Sequence, residues 1–214
     1  MKKILLSGIL LLGVLAANAQ RTSIGVTAGY GTAWLSDTDE DVTFNPAWNL
    51  GATLVYSTDT HWGFGADVKY SREGLRFTNP GSGPYNGQTI TTKVGSDYIR
   101  VPIRAIYFFN KNDHAFRPNV SLGPSFGFLT GGQIRTLDGD KNLIYKSPVN
   151  DSFKAFDFGL QGTIGASYMV SDGLWLSADV VYYHGFIQQN KNGSNNMMNS
   201  NLGINLGLRF GIGN

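Results

Sequence analysis

The chain has 214 residues, the length of one barrel or sandwich domain. Glycine reaches 28 residues and aromatics 13%, while charged residues make up only 15% against about 25% in an average protein. Such a chain is too apolar to be disordered, too poor in proline for a collagen repeat, and at a formal net charge of +2 lacks the basic footprint of a nucleic-acid binder. Without cysteine it has no disulfide framework.

Lys2 and Lys3 form a basic start, residues 4–15 are apolar, and Ala17, Asn18 and Ala19 make the small-x-small pattern of a signal-peptidase site. This predicts a Sec export signal over residues 1–19, cleaved between Ala19 and Gln20, ahead of a barrel domain over residues 20–214. The apolar run falls short of the ~20 residues that cross a bilayer as helix. Losing Lys2 and Lys3 leaves 15 basic residues against 15 acidic ones.

From Ser23 onward the pattern has period two, the sided pattern of a half-buried strand. Ile24, Val26, Ala28, Tyr30 and Trp34 share one parity; Gly25, Thr27, Gly29 and Gly31 hold the other. Seven further segments repeat it, with apolar rows starting at Trp48, Trp62, Ile99, Val120, Phe156, Leu174 and Leu202. Short connections at 57–61, 110–114 and 171–173 alternate with long polar stretches near 35–47, 72–96, 130–152 and 187–200. The expectation is an all-β, eight-stranded antiparallel up-and-down transmembrane β-barrel, with long loops outside the cell and short turns in the periplasm.

A soluble barrel alternates too, with its apolar face inside. Here the polar parity is mainly Gly, Ser, Thr and Asn, as at Ser121, Gly123, Ser125 and Gly127, which suits a crowded interior better than a solvated surface. The apolar rows end in Trp or Tyr, as interfacial girdles do.

The run Tyr98, Ile99, Arg100, Val101, Pro102, Ile103 and the later run from Arg117 through Pro118, Pro124 and Gly127 resemble the PorT-type outer-membrane β-barrel family of Bacteroidota. Phe156 to Leu160 and the strand ending Leu206, Gly207, Leu208, Arg209, Phe210 extend the likeness across the mature chain. The resemblance implies a small barrel of the bacterial outer membrane and, through the family's name, a link to type IX secretion. Arg100 stands where such proteins often carry a Glu.

Pro102, with Pro118 and Pro124 in the next segment, deletes ladder donors in a wall without edges, so a bulge or a loosened seam is expected there, read either as structural or as a lateral gate. The polar parity carries Asp67, Lys69, Arg100, Arg104, Asp157, Asp179 and Arg209, a predicted lumenal charge network filling the narrow interior. His61, His114 and His184 share no lumen with a serine and a carboxylate, so no catalytic residue is assigned. His184 with a loop serine is the sole opening for a lipid-modifying enzyme. Asp37, Asp39 and Asp41, and Asp138, Asp140 and Asn142, imitate the start of a calcium loop but lack its glycine and its final glutamate, so no metal or cofactor is expected.

Recognition then falls to the loops at 72–96 and 130–152, with Tyr85, Arg135 and Tyr145 as candidate binding residues for a protein or glycan. The functional expectation is a monomeric, non-enzymatic outer-membrane barrel in contact with lipid, with a plugged lumen and a structural or loop-mediated binding role. The alternatives are an accessory of a secretion or envelope-assembly machine, and an outer-membrane lipid-modifying enzyme.

Overall fold

A computed structural model describes residues 22–36, 42–43, 45–111, 113–191 and 197–212. The export signal with its Ala19 and Gln20 cleavage site, and the acidic run from Asp37 to Asp41, lie outside the described residues.

Among the described residues ten strands follow in order: β1 (Thr22–Ser36), β2 (Val42–Thr43), β3 (Pro46–Ser57), β4 (Trp62–Pro80), β5 (Thr89–Phe108), β6 (Phe116–Leu137), β7 (Leu143–Pro148), β8 (Phe156–Ser171), β9 (Leu174–Gln188) and β10 (Met198–Ile212). Each pairs antiparallel with its neighbours, and the pairings run β1, β3, β4, β5, β6, β8, β9, β10 and back to β1. The sheet is all-β and up-and-down, and β4 with β5 joins the ends of the path. β2 attaches to β4 and β7 to β6.

The alternation assigns the two faces. Ile24, Val26 and Ile164 point outward at 46%, 58% and 69% exposure, while Thr27, Thr53, Asp67, Lys69 and Arg100 are buried inside. A continuous apolar wall of this kind needs an apolar surrounding. Aromatic clusters mark its limits. Tyr107 contacts Trp62 and Phe109 at the short-turn end; Trp48 with Tyr70, and Trp34 with Tyr182, lie at the other. Trp62 and Tyr70 are eight residues apart on β4, about 26 Å along a strand.

Two of the stretches expected as long loops, 72–96 and 130–152, are largely strand. β4 continues to Pro80, β5 begins at Thr89, and β6 and β7 form a further hairpin, so Arg135 and Tyr145 are strand residues and only Tyr85 sits in a turn, the 3-10 turn Gly83–Tyr85. Beyond the aromatic belt no apolar solvent demands an apolar outer face. Residues such as Thr89, Thr91, Thr92 and Lys93 therefore keep the strand while erasing the hydrophobic period.

This extension bends at two glycines. Gly74 and Gly132 adopt positive φ (133° and 135°), and a Cβ there would lie 2.0 Å from the Val94 carbonyl oxygen and 2.1 Å from that of Gly95. The bend brings Leu75 and Val94 onto Leu35, Val149 and Phe153, with Phe77, Leu129, Ile134 and Met197 around them. Val149 belongs to the 3-10 turn Val149–Asp151 that follows β7. An apolar cluster thus gathers at the loop end, and Val55, Ile106 and Phe108 pack at the turn end.

At Pro102 the structure has a loosened seam rather than a bulge. Pairing of β4 with β5 steps from Ala66↔Ile103 to Lys69↔Arg100 in constant register with two positions skipped, and β5 with β6 does the same between Pro102↔Ser125 and Ala105↔Leu122. The register shift lies higher, between Asp97 and Tyr98, where Thr130 is the extra residue on β6.

Candidate functional site

The inward faces of β4, β5, β8 and β9 bring a charged cluster together below the apolar one. Arg100 donates from Nε to Glu73, from Nη2 to Glu73 Oε2 at 2.5 Å, and from Nη2 to Asp157 Oδ2 at 2.7 Å. Asp157 also accepts from Tyr183 Oη at 2.9 Å, Gln189 Nε2 at 3.0 Å and Asn199 Nδ2 at 3.0 Å. Tyr98 donates to Gln189 at 3.1 Å, and the Arg100 guanidinium lies 4.0 Å from the Tyr183 ring centroid. All of these groups are buried, Asp157 completely, and a buried charge persists only with this density of partners.

A second cluster lies nearer the short turns. Asp67 accepts from Arg104 Nη2 at 2.8 Å and from Thr53 at 2.7 Å, with Lys69 Nζ at 3.8 Å. Arg209 donates to Ser167 at 2.8 Å; Arg117 donates to Ser57 at 3.1 Å and lies 3.7 Å from the Phe108 ring centroid. Asp179 lines a small cavity with Asp67, Arg104 and Arg209 and makes no ion pair among the described residues. The cavities among the described lumenal residues include two of about 30 Å³ each, the scale of one or two water molecules.

All seven charges expected on the lumenal parity face inward, divided between the two clusters. Sequence reasoning missed Glu73, Arg117 and the polar partners Tyr98, Tyr183, Gln189 and Asn199. Glu73 continues the odd parity of Asp67, Lys69 and Ser71 on β4, and Arg117 precedes Asn119 and Ser121 on the inner parity of β6. Carrying the alternation past the last apolar residue would have found both.

The profile of the family described as "Outer membrane protein beta-barrel domain" matches residues 17–190, most of the chain. The chain belongs to this outer-membrane β-barrel family. That membership places the barrel domain in the bacterial outer membrane. No curated protein sequence matches it. Among solved structures, the chain is similar to Neisserial surface protein A (17% identity, TM-score 0.51, covering 89% of this chain and 97% of that one), a likeness that shows the fold alone. It also aligns with OprG of Pseudomonas aeruginosa (16%, TM-score 0.49, 90% and 96%) and with Ail of Yersinia pestis (12%, TM-score 0.44, 89% and 99%).

In the barrel domain, His61 Nδ1 lies 2.7 Å from the Phe108 carbonyl oxygen in a short turn. His114 lies 2.8 Å from Asp113, and that hydrogen bond holds the Asp113 carboxyl below its usual range. His184 Nδ1 lies 2.9 Å from Ser200 Oγ, its partner across β9 and β10. Ser200 is 2% exposed, and no carboxylate bonds the ring among the described residues, so the pair reads as a cross-strand hydrogen bond. The Asp138 carboxylate accepts from the backbone N–H groups of Asp140 and Asn142, an Asx-type turn in place of a cation site. Among the described residues no group of three His, Asp or Glu side chains has metal-binding geometry.

Proposed function

We propose that the chain is an eight-stranded transmembrane barrel of the PorT type with an uninterrupted plug, exported with cleavage at Gln20, whose role is structural or recognitive and lies in the strand extension outside the membrane. The observation that carries this reading is Arg100 held between Glu73 and Asp157 beneath the apolar cluster, with two water-sized lumenal voids of about 30 Å³ each beside the charges. The wall meets lipid and the periplasmic turns are short, so Tyr85, Arg135 and Tyr145 on the extension remain the residues placed for recognition.

Planar-bilayer recording of the refolded monomer tests the plug. Only baseline current is expected, and a steady porin-sized conductance refutes it. Trimming both extension hairpins should leave heat-modifiable gel migration intact and remove surface binding; binding that survives the trimming refutes the recognition role. A second reading, an accessory of a secretion machine, draws on the seam at Pro102, where pairing is interrupted toward both neighbouring strands. A stoichiometric partner cross-linked to that wall and co-purified from membranes would favour it.

A further inference from the structure

We propose that the outward face of the extension docks the phosphorylated saccharide headgroup of a glycolipid in the surrounding outer leaflet, through a row of four cations, Arg76, Lys93, Arg135 and Lys146. The proposal rests on the barrel reading, which sets the extension just outside the membrane.

The row exists only in the paired sheet. Arg76 on β4 pairs with Lys93 on β5, Lys93 with Arg135 on β6, and Arg135 with Lys146 on β7. Adjacent strands lie about 4.8 Å apart, so the four positions form a line about 14 Å long across the strands. Their neighbours Leu75, Val94 and Ile134 turn into the apolar cluster, which directs the cations to the opposite, outer face.

Like charges placed directly opposite one another destabilise a sheet. Nothing among the described residues relieves them. Lys93 and Lys146 bond no carboxylate, Arg135 donates only to the neutral Gln133 at 2.6 and 3.0 Å, and Arg76 Nε is buried without a partner. Asp97 faces Arg72 at 3.8 Å, and Asp138 is occupied by its own turn. A row retained at this cost calls for an anion from outside the described chain, and its linear spacing suits several phosphates rather than one.

Position selects the source. Arg76 is six residues beyond the belt residue Tyr70, about 20 Å along a tilted strand. Between them Gly74 pairs with Gly95, and the Arg72 guanidinium lies over Gly95, 3.4 Å from where its Cβ would stand, so the outer surface from belt to row carries one more cation. A glycolipid with its acyl chains against the apolar wall presents its headgroup along this path, on the outward side. A soluble polyanion would gain nothing from continuity with the lipid-facing wall.

The test uses the full chain in lipid nanodiscs and three probes: a phosphorylated lipopolysaccharide of rough type, the same glycolipid after enzymatic dephosphorylation, and inositol hexakisphosphate. The variant is Lys93→Gln with Arg135→Gln, and the control is Lys111→Gln in a turn at the other end. The expected result is salt-sensitive retention of the phosphorylated glycolipid, weakened about tenfold or more in the variant, because each lost cation removes a direct charge-assisted contact to a headgroup phosphate, and unchanged in the control. The variant should unfold at the same temperature as the parent or higher, because repulsion is relieved. Equal retention by parent and variant overturns the proposal, as does equal retention of the dephosphorylated glycolipid. Retention of inositol hexakisphosphate alone assigns the row to a soluble anion and overturns the glycolipid. A less stable variant with unchanged retention makes the row the counter-charge of the chain's own acidic run from Asp37 to Asp41. A steady conductance in the bilayer recording would refute the plugged barrel and leave these outcomes readable.

Discussion

Replacing Arg100 by Met should expose how the lumen is held, because the side chain neutralises two carboxylates at once. Arg100, Glu73 and Asp157 are 3%, 2% and 0% exposed, so the substitution strands charges that water cannot reach. Breaking such a buried pair costs about 3–5 kcal/mol. The two acids are not equivalent once Arg100 is gone. Asp157 keeps donors from Tyr183, Gln189 and Asn199, whereas among the described residues Glu73 keeps only Ser71 Oγ at 2.8 Å. Adding Glu73→Gln should therefore recover roughly 2 kcal/mol of the loss, and adding Asp157→Asn distinctly less, since an amide nitrogen there would face donors. Equilibrium urea unfolding from detergent micelles, followed by tryptophan fluorescence and by gel mobility, gives the three free energies. Additivity within about 0.5 kcal/mol, or equal rescue by both acids, would refute the clamp.

Arg introduced at Leu206 or Val180, both on the outward wall, should cost about 2–4 kcal/mol near the bilayer midplane, while Leu143→Arg on β7 should cost little; equal costs in the same unfolding assay would argue against a lipid-facing wall. Gly74→Val places a Cβ 2.0 Å from the Val94 carbonyl oxygen at a φ that valine avoids. Limited proteolysis should then cut the hairpin between β4 and β5 while the wall stays protected, and an unchanged digest would show that the apolar cluster does not depend on this bend. The intact mass of the outer-membrane form should begin at Gln20; a mass that includes Lys2 and Lys3 would remove the export signal.

The sequence by itself determined the wall strands within the aromatic belt, their sidedness and most of the inward charges, Glu73 and Arg117 excepted. Period two is a local consequence of a wall with lipid on one side and a crowded lumen on the other, so Ile24 and Val26 against Thr27 already state which way each residue points. That signal lasts only while one solvent is apolar. It faded beyond the aromatic belt, where β4 to β7 look like loops, and with it went Glu73, which proved to be the second partner of Arg100. Which acid meets which base, how Leu35 reaches Val149 and Phe153, and that four cations scattered from Arg76 to Lys146 stand side by side were decided only in the tertiary structure. Each depends on strand register, and register is set by pairing between segments far apart in the chain rather than by any residue's own neighbours.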